Sequence, residues 1–557
     1  MSHVEITAPD GAVHIRPVGF DKAVQMAVYS QLPSAKWEAT RWVMPDSAGA
    51  VLRLIAFMNM GCVDARLDER ANALVARISS MQRPTENDAE LPFTSLTVPW
   101  PHQRMAYHFL MWARNHLGCG LLDMGMRTGK TRCILDYFSG LDPSLRAGLV
   151  LCPKVVVPVW GEQARRHCGP GRHLRVVPLS GGTVAERVAL ACHHLTSDKP
   201  TIVVMGWSVL ERTSLPQKKA LRAALTGLTI VADEVHFAKA PGSSRSQALA
   251  YISRTAAMRI GASGTPLAHS PLDAYGVFRY LDVGLWGTSF ARFRDQYALM
   301  GGFGGHQVLS YKNLDDLAAR MRVYTFKTSR DVLNLLPPED IDVEVQMPPA
   351  AMKIYADMRD ECVAELQSGT LTVGNSLAKL MRLAQISSGF LPHALLQDGK
   401  KEIIHTAKQE ALIDLLESCD DQEPWVVFGR FHHDIDVAKH SASKTGRPFF
   451  ELSGRHHQLD EWKAACRSGK GAVLGAQTQA GGIGVDMTDA RYCAYLSKGY
   501  SLVDYEQSRT RIHGPDQTRS VSYYHIDVKA SVDKIIRRAL NKRADVLAFV
   551  AAELVKE

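Results

Sequence analysis

The sequence predicts an α/β protein: two parallel-sheet lobes behind a small N-terminal α+β module. Three observations predict it. Short apolar runs alternate with helical stretches from about residue 96 to 325, and again from about 340 onward. Strands that are apolar throughout, separated by helices, belong to parallel sheets covered on both faces. A polar, acidic, Pro-bounded segment, Met81 to Pro92, sets the first 80 residues apart. Finally, a chain of 557 residues exceeds what one hydrophobic core supports.

In residues 1–80, Val13-His-Ile-Arg-Pro reads as a strand and Asp21 to Leu32 as a helix. Lys36-Trp-Glu-Ala-Thr-Arg-Trp-Val-Met reads as strand, turn, strand, followed by an apolar helix from Ala48 to Met58. A linker is expected over 81–95. The first lobe, 96–330, has strand-like runs at Gly120-Leu-Leu-Asp-Met, Gly148-Leu-Val-Leu-Cys, Thr201-Ile-Val-Val-Met, Leu228-Thr-Ile-Val-Ala and Met258-Arg-Ile-Gly-Ala. Residues 300–306, Gly-rich with no strand before and no Lys after, read as a loop. The second lobe, 331–557, has strands at Pro424 to Gly429, Pro448 to Leu452, Gly471 to Gly475, Tyr492 to Leu496 and Val521 to Ile526. Val532, Ile536, Leu540, Leu547, Val550 and Leu554 recur at helical spacing, as in a closing helix.

Composition narrows the function classes. Apolar residues make up 46% and charged residues 22%, as in globular proteins. No apolar run approaches the ~18 residues of a membrane span. The start, Met-Ser-His-Val-Glu-Ile, lacks the basic and apolar regions of a secretory signal. Ten scattered cysteines show no metal or disulfide spacing, so reduced thiols are expected. Net charge is +8, with nine Lys/Arg against three acids over residues 507–543. That stretch suits either a phosphate track or a solvated helix face.

The chemistry concentrates in two places. Gly125-Met-Arg-Thr-Gly-Lys-Thr131 lies between a strand and a helix. A phosphate loop needs backbone N–H groups turned inward, a Lys for the β/γ-phosphates and a hydroxyl for magnesium. Gly125, Thr128 and Gly129 form the loop, and Lys130 and Thr131 supply the last two groups. The strict spacing fails by one residue, because Met124 occupies the first glycine position. Asp233-Glu234 ends a second strand. Asp233 suits magnesium and Glu234 suits the attacking water. His236 either couples this site to a neighbouring motif or caps a turn. Gln103, in Trp100-Pro-His-Gln103, can read an adenine edge with its amide. ATP and Mg2+ are therefore the expected ligands.

In order, the segments resemble a superfamily 2 helicase of the Swi/Snf type, the translocases on double-stranded DNA, over about residues 96–545. Pro101-His-Gln103 resembles the adenine motif, Met124 to Thr131 motif I, and Val150-Leu-Cys-Pro-Lys with Trp160 and Glu162 the DNA-touching motif Ia. Asp233-Glu-Val-His resembles motif II, Gly261-Ala-Ser-Gly-Thr-Pro motif III and Ala476 to Asp486 motif V. Gln507-Ser-Arg-Thr-Arg-Ile-His513 with Gln517 resembles motif VI, and Ser531 to Ile536 with Lys542 a closing brace. Phe326-Lys-Thr-Ser-Arg-Asp-Val with Leu336-Pro-Pro resembles the inter-lobe junction, and Met381 to Gly389 the helix before motif IV.

The resemblance implies two RecA-like lobes and a DNA-dependent ATPase. It also implies that Gly484, Asp486 and Gln507 line the nucleotide and that Arg511 acts as arginine finger. Gly514 stands where the family has a second arginine and Asp516 where it has glycine. Arg509 and Arg519 are nearby substitutes. The implied partner is duplex or branched DNA, with RNA as an alternative, for a monomer in a bacterial or phage-infected cytoplasm. Two other functions fit: an ATP-gated DNA clamp with little turnover, and a DEAH-type RNA helicase.

Pro33-Ser-Ala-Lys-Trp37-Glu-Ala-Thr-Arg-Trp42-Val resembles the module ahead of the motor in HepA-related annealing helicases. Trp37 and Trp42 then either stack on bases or fill a core. Residues 1–95 carry nine Lys/Arg against eleven acids, so charge does not decide. The pairs His193-His194, His432-His433 and His456-His457 lack the partners of a metal site.

Overall fold

The computed structural model describes residues 3–18, 22–59, 64–81, 89–169, 174–267, 270–301, 307–368, 373–392, 401–479 and 485–542. It divides into two compact units, Met1–Val332 and Leu333–Glu557.

The first unit opens with a five-stranded sheet, β1 (His3–Thr7), β2 (Ala12–Val18), β3 (Lys36–Glu38), β4 (Arg41–Pro45) and β5 (Asp64–Leu67), in the order β3-β4-β2-β1-β5. Alternation puts Val4, Ile6, Val13 and Ile15 on one buried face. β1 and β5 escaped the sequence reading; both are short, and for β1 the Pro9-Asp10-Gly11 turn before β2 was the signal that could have found it. Trp42 is buried while Trp37, across β3–β4, is 54% exposed, so the two tryptophans have different roles.

Module and first lobe share one core, from Val4 to Tyr324. Asp282 clamps them. Its carboxylate accepts from Ser47 Oγ (2.7 Å), the Gly49 N–H (2.7 Å), the Gly284 N–H (2.8 Å) and Tyr324 OH (3.1 Å). A carboxylate at the start of helix Ala48–Asn59 also meets the helix dipole favourably. A Cβ on Gly49 would stand 2.7 Å from Asp282 Oδ2, so the close approach requires glycine.

The main sheet of this unit has β6 (Cys119–Met124), β7 (Gly148–Cys152), β8 (Arg175–Leu179), β9 (Thr201–Gly206), β10 (Thr229–Asp233) and β11 (Met258–Ser263). An antiparallel hairpin, β12 (Ala298–Gly301) and β13 (Gln307–Tyr311), follows, and β14 (Thr325–Thr328) completes the sheet. All seven main strands are parallel, in the order β14-β6-β11-β10-β7-β9-β8. The two strands that escaped the sequence reading, β8 and β14, are its edges, where one-sided pairing leaves a weaker apolar pattern. Of the expected junction, Phe326 to Thr328 belong to edge strand β14, and the division between the two units, at Val332 and Leu333, falls within it. Of the expected loop 300–306, Met300 and Gly301 belong to β12, and the rest lies outside the described residues.

The second unit contains β15 (Glu339–Val345), the hairpin β16 (Phe390–Pro392) and β17 (Lys401–Ile403), then β18 (Trp425–Gly429), β19 (Phe449–Leu452), β20 (Val473–Gln477), β21 (Tyr492–Tyr495) and β22 (Ser522–Val528). Six strands form one parallel sheet, β15-β22-β21-β18-β20-β19. Strand alternation splits the core in two: Val426, Phe428 and Tyr495 in one cluster, Trp425, Val427 and Ala494 in the other. The closing helix runs Val532–Asn541 and buries Val532, Ile535, Ile536, Ala539 and Leu540. Leu547, Val550 and Leu554 lie outside the described residues.

Two parallel sheets flanked by helices are the α/β architecture expected. Five cations of the basic stretch are engaged in ion pairs. Arg509 pairs with Asp340, Arg519 with Glu423, Lys529 and Lys534 with Glu344, and Arg537 with Asp342 and Asp527.

Candidate nucleotide site

The site begins where β6 ends. Met124 is buried as the last residue of that strand, and Gly125 takes the turn. A Cβ there would stand 2.8 Å from Arg330 Cγ and 2.9 Å from Arg330 N. This explains the displaced glycine: position 124 serves the core and position 125 the close approach. Arg127 and Gly129 take left-handed φ values of 68° and 89°. Thr128 is buried and its hydroxyl donates to Gly125 O (2.7 Å), closing the loop. Helix Lys130–Gly140 starts at once, so its free N–H groups face the loop, as anion sites require. Lys130 Nζ donates to Met124 O at 3.1 Å.

Gln103 is buried beside this loop. Its Oε1 accepts from the Trp100 N–H (3.0 Å) and its Nε2 donates to Thr128 O (3.1 Å). His102 Nε2 is 2.9 Å from the same carbonyl, a contact the sequence did not signal. The amide thus ties its helix to the phosphate loop. Arg132 adds a buried anchor. It pairs with Asp136 (2.7 Å) and donates to Ser95 Oγ (2.7 Å) and Thr97 O (2.9 Å), fixing the segment that leads to Gln103.

The strand order puts β11 between β6 and β10, with Ser263 opposite Asp123 and Ala262 opposite Asp233. The ends carrying Lys130, Asp233 and Ser263 therefore converge. Asp233 is buried, and Trp207 Nε1 holds its carbonyl at 2.8 Å. Glu234 turns the chain in a left-handed conformation, φ 55°. Its Oε2 accepts from Ser263 Oγ (3.1 Å) and lies 3.2 Å from His236 Nδ1, itself 3.0 Å from Ser263 Oγ. Of the two readings of His236, coupling to the neighbouring motif is the one the geometry supports. Burial and then the Glu234 charge raise the Asp233 pKa, while Lys130 opposes. Burial acts the same way on Glu234, but the His236 hydrogen bond and the Lys130 and His236 charges outweigh it and lower the pKa.

This donor set fits a nucleotide with a hard cation. Carboxylate and hydroxyl oxygens suit Mg2+. Among the described residues no three His, Cys, Asp or Glu side chains converge as an all-protein metal site, so a cation here would share its shell with phosphate oxygens. Trp160, expected with the DNA-touching stretch, is fully buried in the core, whereas Lys154 and Glu162 are exposed.

The remaining expected residues belong to the second unit. Arg511 lies on helix Leu502–Ile512; its Nη1 donates to Val485 O (3.2 Å) and its carbonyl accepts from the Met487 N–H (3.0 Å). Asp486, between them, accepts from Thr488 Oγ1 (3.1 Å) and lies 3.5 Å from Lys463 Nζ. Gln507 is half-buried on the same helix. Gln517 donates to Thr488 O (3.0 Å) and Ala490 O (2.8 Å). Gly484 lies outside the described residues. The substitutes for a second finger are occupied: Arg509 by Asp340, and Arg519 by Glu423 at 2.9 Å.

A phosphate loop and an Asp-Glu pair at the carboxyl end of one parallel sheet define the class of α/β ATPases. The family model for the SNF2-related domain matches residues 73–389. This chain belongs to the SNF2-related family. It is 25% identical to protein p41 of Acyrthosiphon pisum secondary endosymbiont phage 1, over 80% of this chain and 96% of that one. It is 23% identical to an "Uncharacterized ATP-dependent helicase" of Mycoplasma pneumoniae, over 59% of this chain and 31% of that one. The ISWI chromatin-remodeling complex ATPase ISW1 of Saccharomyces cerevisiae matches at 21% over 79% of this chain and 40% of that one. The chain thus spans nearly all of the phage protein but less than half of these cellular relatives. A solved Sulfolobus solfataricus SWI2/SNF2 ATPase core in complex with dsDNA aligns at 19% identity over 86% of this chain and 96% of that one, with a TM-score of 0.39. Among the described residues no helix is long and apolar enough to cross a membrane.

Proposed function

We propose that this chain hydrolyses ATP with Mg2+ and couples hydrolysis to movement along, or remodelling of, duplex or branched DNA. The carrying observation is the convergence of Lys130, Asp233 and Glu234 at the carboxyl ends of neighbouring parallel strands, with Glu234 linked through His236 and Ser263 to the adjacent strand. Lys130 neutralises the β/γ-phosphates, and Gly125, Thr128 and Gly129 shape the loop around them. Thr131 and Asp233 hold Mg2+, which when bound withdraws charge from the phosphate oxygens. Glu234, kept ionised, orients and deprotonates the attacking water. Gln103 keeps its second N–H and second oxygen lone pair for adenine while it holds Thr128 O and the Trp100 N–H. The family resemblance assigns nucleotide contacts to Gly484, Asp486 and Gln507 and the finger role to Arg511. With Arg509 and Arg519 held by acids and Gly514 in place of an arginine, Arg511 works alone.

The domain reading is an N-terminal module over 1–80, a linker over 81–95, and ATP-binding and helicase lobes over 96–330 and 331–557. The proposed partner is DNA. A groove of about 400 Å³ between the module and helix Phe290–Tyr297 of the first lobe, lined by Gln25, Tyr29, Lys36, Trp37, Trp42 and Arg292, supports a second DNA contact. Trp37 and Tyr29 are exposed there, and the cations suit phosphates. The enzyme acts as a monomer in a bacterial or phage-infected cytoplasm.

The test is phosphate release with duplex DNA, single-stranded DNA and RNA, for the parent and Lys130→Ala. Strongest stimulation by duplex DNA, lost in Lys130→Ala, supports the motor; unchanged turnover in that variant sinks it. ATP binding without DNA-stimulated release, regained in Gly514→Arg, favours the clamp. Stimulation by RNA alone favours an RNA helicase.

A further inference from the structure

We propose that Asp340 and Arg509 are positioning residues that set the direction of Arg511 and tie it to the entry of the chain into the second unit. The inference rests on Arg511 acting as the finger. Arg509 and Arg511 are two residues apart on helix Leu502–Ile512. At about 100° per residue they point to opposite faces. Whatever fixes the azimuth of Arg509 therefore fixes that of Arg511.

Arg509 is fixed from several sides. Its guanidinium makes a two-pronged ion pair with Asp340, with Nη2 to Oδ2 at 2.9 Å and Nη1 to Oδ1. Nη1 also reaches Tyr505 OH (3.1 Å), and the guanidinium lies 4.0 Å from the centre of the Tyr523 ring. Tyr523 OH donates to the Arg509 carbonyl at 2.6 Å, so main chain and side chain are gripped by the same strand, β22. Bidentate pairing and ring stacking together leave a guanidinium little freedom, and lysine reproduces neither. Asp340 is braced in turn by His525 Nε2 at 2.7 Å. On the other face Arg511 meets Val485 O and Met487 N–H, the segment after motif V.

The anchor has a telling place in the chain. Asp340 is the second residue of β15, the first strand of the second unit. Just before it, Leu336 O is 2.8 Å from His513 Nε2, at the C-terminal end of the finger helix. The incoming segment is thus fastened to this helix at two points.

The experiment measures DNA-stimulated kcat and KM for ATP in the full chain, with thermal melting alongside. The variants are Arg509→Leu, Arg509→Lys, Asp340→Asn and Arg511→Ala. Arg537→Leu, which breaks a different ion-pair cluster of the same unit, is the stability control. The expected result is a 10- to 100-fold loss of kcat in Arg509→Leu and Asp340→Asn, with KM within about twofold and partial recovery in Arg509→Lys. Arg511→Ala should lose more, and Arg537→Leu should keep kcat despite a similar loss of melting temperature. Unchanged kcat in Arg509→Leu while Arg511→Ala is inactive overturns the positioning role. An equal kcat loss in Arg537→Leu also overturns it, in favour of simple destabilisation. Full activity in Arg511→Ala removes the finger reading itself.

Discussion

The two units build their functional residues by different means. In the first, close backbone approaches and sheet ends do the positioning. Gly125 lies against the Arg330 backbone, Gly129 takes φ 89°, and Asp233 and Ser263 are terminal residues of parallel strands. In the second, long charged side chains do it: Arg509 to Asp340, Lys498 to Asp527 (2.6 Å) and Lys408 to Asp533 (2.7 Å). Backbone positioning is local and leaves a spacing pattern in the sequence. Ion-pair positioning reaches across 169 residues between Asp340 and Arg509 and leaves none.

That contrast can be broken or sharpened by substitution. The largest effect is expected for Arg511→Ala, a kcat loss of about 10³–10⁵-fold if it is the lone finger, read by phosphate release under saturating DNA. A loss under tenfold would mean that the second unit contributes differently. Glu234→Gln should lower kcat by about 10²–10⁴-fold while retaining nucleotide binding, measured with a fluorescent ATP analogue. Loss of binding instead would make Glu234 a binding group.

Asp282→Ala tests the long-range carboxylate clamp of the first unit, away from the nucleotide. It leaves the Ser47, Gly49, Gly284 and Tyr324 donors buried without their acceptor. Stability should fall by about 1–3 kcal/mol or more, seen as a lower urea midpoint. Trp37→Ala should weaken DNA binding by roughly 1–3 kcal/mol per stacked base, with the melting temperature unchanged because the ring is largely exposed. Unchanged affinity would make the groove irrelevant to DNA.

The last effect concerns pH rather than activity. His525 is held down to about 4, chiefly because burial disfavours the imidazolium; Asp340 and Asp527 oppose that shift, and Lys498 and Arg537 add to it. Between about 6.5 and 4 the native state binds fewer protons than the unfolded chain. Stability contributed by neutral His525 is therefore present above pH 6.5 and lost as pH falls through this window. His525→Gln should flatten that limb of a stability profile from pH 7 to 4, and an unchanged slope would assign it to other groups.

Much of the first site was legible because its residues sit at strand ends marked by apolar runs. Met124 shows how far that went: the spacing defect was visible, but its explanation, a buried strand end beside Gly125, needed Arg330 to be seen. The sequence likewise gave no sign that Trp160, within the motif Ia stretch, faces the core while Lys154 and Glu162 are exposed. The acidic partners of the basic stretch near the C-terminus, scattered from Asp340 to Asp527, were likewise invisible in the sequence.

By itself the sequence determined the fold class, the phosphate loop with its Asp-Glu partner, and the family. Each depends on periodicity or on residues adjacent in the chain. The tertiary structure alone decided the strand order that wedges Ser263 between Lys130 and Asp233, the Asp282 clamp on the N-terminal module, and the pairing of Arg509. Hydrogen bonds and ion pairs between distant segments form only once the sheets have folded. No local pattern specifies which distant partner a buried carboxylate or guanidinium will meet.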